Sequence, residues 1–140
     1  MMKNVVAAYI EMNNQFLIAK RADGKYKGLW EFPGGKVESG ECDEKAVERE
    51  IREELNLDVK AKSLIASNYY DQGDKTILLK LYSCDLLGGD LELRAHSEAK
   101  YIHVEDINNY TFCPADVPLL NYLPLKNKTR VRTLSKKDEF

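Results

Sequence analysis

The stretch EFPGGKVESGECDEKAVEREIREELNL, Glu31 to Leu57, decides how this chain folds. From Glu41 onward it holds neither Gly nor Pro and is rich in helix formers, so it predicts one helix. Asn56, near the end, is suited to the left-handed conformation that closes a helix. Upstream, the short extended piece LWEF stops at Pro33, and Gly34 and Gly35 follow. Two glycines there let a bound group approach the main chain closely, although an ordinary strand-to-helix turn would use them as well.

The helix has a chemical side. Taking Glu50 as origin and about 100° per residue, Glu53 falls near −60° and Glu54 near +40°, an arc of roughly 100°. Val47, Ile51 and Leu55 form an apolar stripe beside them, while Lys45, Glu48 and Arg52 take the far side and are expected to face water. The glutamates therefore lie on the rim of the core-facing side. Like charges three and four apart cost roughly 0.2–0.5 kcal/mol per pair, and partial desolvation makes this worse. Only Arg49 flanks the cluster from its own helix. Hard oxygen ligands short of protein cations are what Mg²⁺ or Mn²⁺ binds. An open, hydrated ion would leave positions for phosphate oxygens and an attacking water. The competing reading is a solvated acidic helix face.

Working outward, NVVAAYIEMNNQFLIAKR reads as a hairpin turned at MNNQ. DVKAKSLIASNYY and KTILLKLYSCDLL are strand candidates joined by a DQGD turn, and LELRA and AKYIHV are two more. VEDINNY reads as a short helix and PADVPLLNYL as a final one, with Asp116 at its N-cap and Pro118 in its first turn. Strands around one long helix make an α/β domain, placed at residues 1–124, and a basic tail follows at 125–140.

The totals narrow the function. The length of 140 residues suits one domain, and a net charge of −2 gives no electrostatic reason to bind a nucleic acid polymer. No apolar run reaches the roughly 18–20 residues a membrane helix needs. Cys42, Cys84 and Cys113 lie far apart and, with only His96 and His103, make no zinc spacing, so they suit a reducing, cytoplasmic setting.

Gly35, Glu41, Arg49, Glu50, Ile51, Glu53, Glu54 and Leu57 together resemble the Nudix box, with Asn56 where that family has Gly. Chance agreement from Gly35 through Glu54 is on the order of 10⁻⁸ per start position. LWEFPGGK and PADVPLL extend the likeness to the MutT-type branch, closest to its CTP pyrophosphohydrolase and oxidised-nucleotide members. The resemblance implies a Nudix α/β/α sandwich with a mixed sheet and a Mg²⁺-dependent pyrophosphohydrolase, Mn²⁺ being an alternative. It implies a nucleoside triphosphate split into monophosphate and pyrophosphate, or another nucleoside diphosphate conjugate as substrate; a non-catalytic nucleotide sensor is a third reading. By position, Glu50, Glu53, Glu54 and the Gly34 carbonyl would ligate the metal. Arg49 would orient a box carboxylate, and Glu41 would tie the loop to the helix. Glu50 or Glu53 would handle the attacking water, assisted by a glutamate from a later loop, for which Glu98 is the candidate.

Base choice rests on other residues. Trp30 and Phe32 share a face, and either would stack on a base or serve the core. Arg21 and Lys20 are candidates for phosphate or base contact. Asp116 would accept a hydrogen bond from an exocyclic amine such as cytosine N4, which favours a cytidine-type triphosphate over oxidised dGTP.

Overall fold

The computed structural model describes residues 2–124, so the expected tail at 125–140 lies outside the described residues. Strands β1 (Met2–Met12) and β2 (Gln15–Arg21) form the first hairpin. Asn13 and Asn14 turn it with φ of 54° and 64°, the two left-handed residues that match a turn to the twist of its strands. Then come β3 (Trp30–Glu31), β4 (Gly34–Lys36), α1 (Asp43–Leu55), β5 (Leu57–Asp71), β6 (Thr76–Gly89) and β7 (His96–His103). Two 3₁₀ segments, Val104–Asn109 and Val117–Tyr122, complete the described chain.

The seven strands form one mixed sheet in the order β3-β2-β1-β6-β5, with β4 also on β1 and β7 on β2. β1 and β6 run parallel, and the other pairs are antiparallel. β1 is central, so both its faces are apolar. Val6, Ala8 and Ile10 face α1, where Val47, Ile51 and Leu55 are fully buried. Ala7 and Tyr9 face the other way, onto Phe16, Phe32, Leu81 and the 3₁₀ residues Ile107, Leu119 and Leu120. Each fully buried large side chain contributes about 1.5–3 kcal/mol. The sheet thus lies between α1 and the 3₁₀ layer, an α/β fold with a mixed sheet.

Three expectations change. LELRA is not a strand but an irregular segment that completes the end of α1. The Glu92 and Arg94 amides donate to the Leu55 and Glu54 carbonyls, which a helix end leaves without partners. Asn56 closes the helix as expected, at φ 58° and ψ 35°, and its side chain donates to the Asp90 carbonyl. The two late helices are single 3₁₀ stretches. Asp116 occupies the N-cap position of the second, but its side chain caps nothing there. Glu48 does not simply face water: it accepts the Ala61 amide at 3.0 Å and so pins the helix to β5.

β4 positions the site. Its pairing with β1 sets Gly34 opposite Ala7 and Gly35 opposite Val6. A Cβ on Gly34 would strike the Val6 carbonyl, and one on Gly35 would strike the Glu50 carboxylate. The first glycine therefore serves the fold, while the second makes room for a functional side chain.

Candidate active site

Arg49 organises one side of the site. Its Nε lies 2.7 Å from Glu41, its Nη1 lies 3.2 Å from both Glu50 and Glu53, and its Nη2 donates to the Lys36 carbonyl at 3.0 Å. Glu41 also accepts the Glu38 amide, so the loop folds back onto the helix. The Arg49 hydrogen bond holds the Glu41 carboxyl down at about 2. This guanidinium fixes the spacing of two carboxylates while leaving Glu53 more than half exposed.

Glu54 has the opposite surroundings. Its carboxyl is mostly buried, and Oε1 has no hydrogen-bond partner among the described residues. Burial first, then the negative charges of Glu50 and Glu31, push its pKa up to about 8. Glu50, half-buried, is raised by burial against the pull of Arg49. Buried carboxylate oxygens without partners are costly unless a cation meets them. A hard divalent ion fits this donor set: Glu54 and Glu50 offer carboxylates beside the close-approach backbone of Gly34 and Gly35.

Two cavities meet here. A cleft of about 300 Å³ is floored by Val5, Ala7, Ile77 and Leu79 and bounded by Arg21, Glu31, Phe32, Gly34, Gly35 and Asp116. A second, of about 320 Å³, is bounded by Arg21, Glu31, Glu54, Arg94 and His96. The Arg21–Glu31 ion pair, at 3.2 Å, belongs to both and forms the partition. Among the described residues, the buried side-chain polar atoms without partners are Arg21 Nε, Glu54 Oε1 and His96 Nδ1, and all belong to residues lining the second cavity.

Asp116 sits at the inner end of the cleft, 4% exposed, and its Oδ2 accepts the Phe32 amide at 3.0 Å. Burial, with Glu31 adding, raises its pKa well above the ordinary carboxylate range. Phe32 lines the same cleft and packs on Phe16 and Phe112. Trp30 does not reach it: the ring is a core residue set edge-on to Tyr110, with Lys20 and Lys100 ammoniums over it. Lys20 is thereby turned away from the cleft, whereas Arg21 lines it.

Glu98 is not on a loop. It lies within β7 opposite Lys20, its carboxylate 3.2 Å from Lys100, and it lines neither cavity. The sequence reading missed Glu31, His96 and Cys113. His96 Nε2 lies 2.9 Å from Glu31, and Glu31, Cys113 and Asp116 bring ligand-type atoms within 4.8 Å of one another. The Cys113 thiol is pushed up to about 12 by burial, with Asp116 and Glu31 adding, so it stays protonated. The alternation of LWEF contains a signal for Glu31, which points away from its apolar neighbours; nothing local marks His96 or Cys113.

A carboxylate-bearing helix edge beside a glycine strand, next to a cleft with a buried acid, suits a hydrolase of phosphate anhydrides that works with a divalent metal. The chain belongs to the Nudix family: the NUDIX domain model matches residues 1–123. It is 37% identical over 120 residues to the CTP pyrophosphohydrolase of Escherichia coli K12, covering 85% of this chain and 89% of that one. It is 39% identical over 108 residues to the ADP-ribose pyrophosphatase of Methanocaldococcus jannaschii, covering 74% of this chain and 62% of that one. Among solved structures, the E. coli ORF135 protein superposes with a TM-score of 0.78 at 36% identity, covering 86% and 87% of the two chains. The protein is thus a Nudix hydrolase acting on nucleotides, a family that uses divalent metals. No helix among the described residues is long and apolar enough to cross a membrane.

Proposed function

We propose that this chain is a Mg²⁺-dependent nucleoside triphosphate pyrophosphohydrolase that converts a cytidine-type triphosphate to monophosphate and pyrophosphate. The observation that carries this reading is the juxtaposition of two adjoining cavities that share Arg21 and Glu31, one lined by the cation-starved Glu54 and the other by the buried acid Asp116. Similarity to a CTP pyrophosphohydrolase over most of both chains supports the choice of base.

Glu50, Glu53, Glu54 and the Gly34 carbonyl would hold Mg²⁺. The bound ion would neutralise the diphosphate, lower the pKa of a water and stabilise the leaving oxygen. The chain's own groups do the rest. Arg49 restrains Glu50 and Glu53 together, so either carboxylate can take the proton of an attacking water without drifting from its partner. Arg21, held by Glu31, presents a fixed guanidinium to a phosphate oxygen. Phe32 supplies an apolar wall for the nucleoside, and Asp116, with one oxygen committed to the Phe32 amide, offers the other to the base edge. Cytosine sets an amine donor at its edge, which a carboxyl oxygen accepts. Glu98 finds no support as an assisting carboxylate in this geometry.

The test is pyrophosphate release from CTP, dCTP, 8-oxo-dGTP and ADP-ribose in Mg²⁺. The expected order puts cytidine triphosphates first in kcat/KM by about tenfold or more, and Asp116→Asn should narrow that margin while the protein stays folded. Turnover confined to ADP-ribose would overturn the assignment.

A further inference from the structure

The mouth of the cleft is charged opposite to its interior. Lys3, on β1, and Lys75, just before β6, both line it, together with Tyr26, Tyr70 and Gln72. Parallel register sets Met2 beside Thr76 and Lys3 beside Ile77, which brings Lys75 level with the start of β1. The two ammonium groups are close enough that contact with Lys75, ahead of burial and Lys36, lowers the proton affinity of Lys3. Among the described residues, none of the ion pairs involves Lys3, Lys36 or Lys75. The cleft's two carboxylates, Glu31 and Asp116, lie elsewhere: Glu31 is paired with Arg21 and Asp116 sits against Phe32. Two facing lysines without an acid repel each other, and an anion between them removes that cost.

The spacing identifies the anion's place. Gly34 is opposite Ala7, and Lys3 is four residues back along the same strand. At about 3.3 Å per residue, the lysine pair stands roughly 13 Å from the glycine end of the cleft. We propose that Lys3 and Lys75 form a second phosphate-binding position at the mouth of the cleft, four residues along β1 from its glycine end. Its distance from the glutamates is given meaning by the hydrolase reading above, but the binding itself does not depend on turnover.

The experiment uses the full chain in EDTA and follows the lysine side-chain ¹⁵N signals while inorganic phosphate is titrated. Saturable shifts at Lys3 and Lys75 are expected, absent with chloride at matched ionic strength and lost in Lys75→Gln. No saturable response, or an unchanged response in Lys75→Gln, overturns the proposal whatever the enzyme hydrolyses. Kinetics of Lys3→Gln and Lys75→Gln then identify the source of the phosphate. A loss in kcat/KM of about tenfold confined to a nucleoside 3′-phosphate 5′-triphosphate places that phosphate on the nucleoside. An equal loss with the plain triphosphate assigns the position to the 5′ chain. Unchanged kinetics with abolished phosphate binding assigns it to free phosphate.

Discussion

Glu41 and Glu54 belong to the same loop–helix unit, yet their proton affinities move in opposite directions, to about 2 and about 8. Glu41 meets a guanidinium and a backbone amide; Glu54 meets the Gly34 backbone, two further carboxylates and no ion-pair partner among the described residues, and its Oε1 is buried without a hydrogen bond there. The difference teaches how the charges divide their work. Glu41, which Arg49 satisfies, ties the loop to the helix, and Glu54, left short of a cation, is the carboxylate we propose to depend most on the divalent ion.

The largest expected effect comes from removing the unsatisfied side. Glu54→Gln should lower kcat by about 10³-fold, the scale of losing a metal's charge stabilisation. Its stability should move the other way. Folded Glu54 keeps its proton to about pH 8, whereas an unfolded glutamate loses it near 4.5. Metal-free wild type therefore loses stability as pH rises from about 4.5 through about 8, and Glu54→Gln should not. Melting curves in EDTA at pH 4, 6 and 8.5 check the sign, and coincident profiles would break the contrast. Next, Arg49→Ala should cost about 10–100-fold in activity and about 2 kcal/mol of stability, since four carboxylates lose their partner at a partly exposed site. Turnover and urea unfolding measured side by side separate those two losses.

The glycines sharpen the comparison further. Gly35→Ala should lower activity by about tenfold and leave the fold intact, because the atoms nearest its Cβ are those of the Glu50 carboxylate, the end of a side chain and not backbone. Gly34→Ala should reduce folded yield, because its Cβ meets the Val6 backbone. Expression and circular dichroism distinguish the two. The smallest effect belongs to Glu41→Gln. Glu41 adds stability above pH 4.5 that is lost as pH falls through its folded value of about 2, so this variant should differ from wild type near neutral pH and converge with it in acid.

The glutamate edge was legible in the sequence because its determinants are local. Three carboxylates, their flanking Arg49 and the apolar stripe of Val47, Ile51 and Leu55 are fixed by one helical period. The hairpin at Asn13–Asn14 was legible for the same reason, since turn chemistry depends on the turn residues alone. The cleft was not. Glu31, His96 and Cys113 come from β3, β7 and the segment after the first 3₁₀ stretch, and only strand pairing brings them together. LELRA misled because its leucines alternate like a strand, while its amides were needed by the end of α1. Trp30 was a fair candidate for stacking until Tyr110, Lys20 and Lys100 enclosed its ring.

The most direct test of the central claim is Mn²⁺ binding, by calorimetry at pH 7.5, to wild type, Glu54→Gln and Glu41→Gln. Glu54→Gln is expected to lose at least about tenfold in affinity while Glu41→Gln stays near wild type. Wild-type affinity in Glu54→Gln, or an equal loss in both variants, would contradict it.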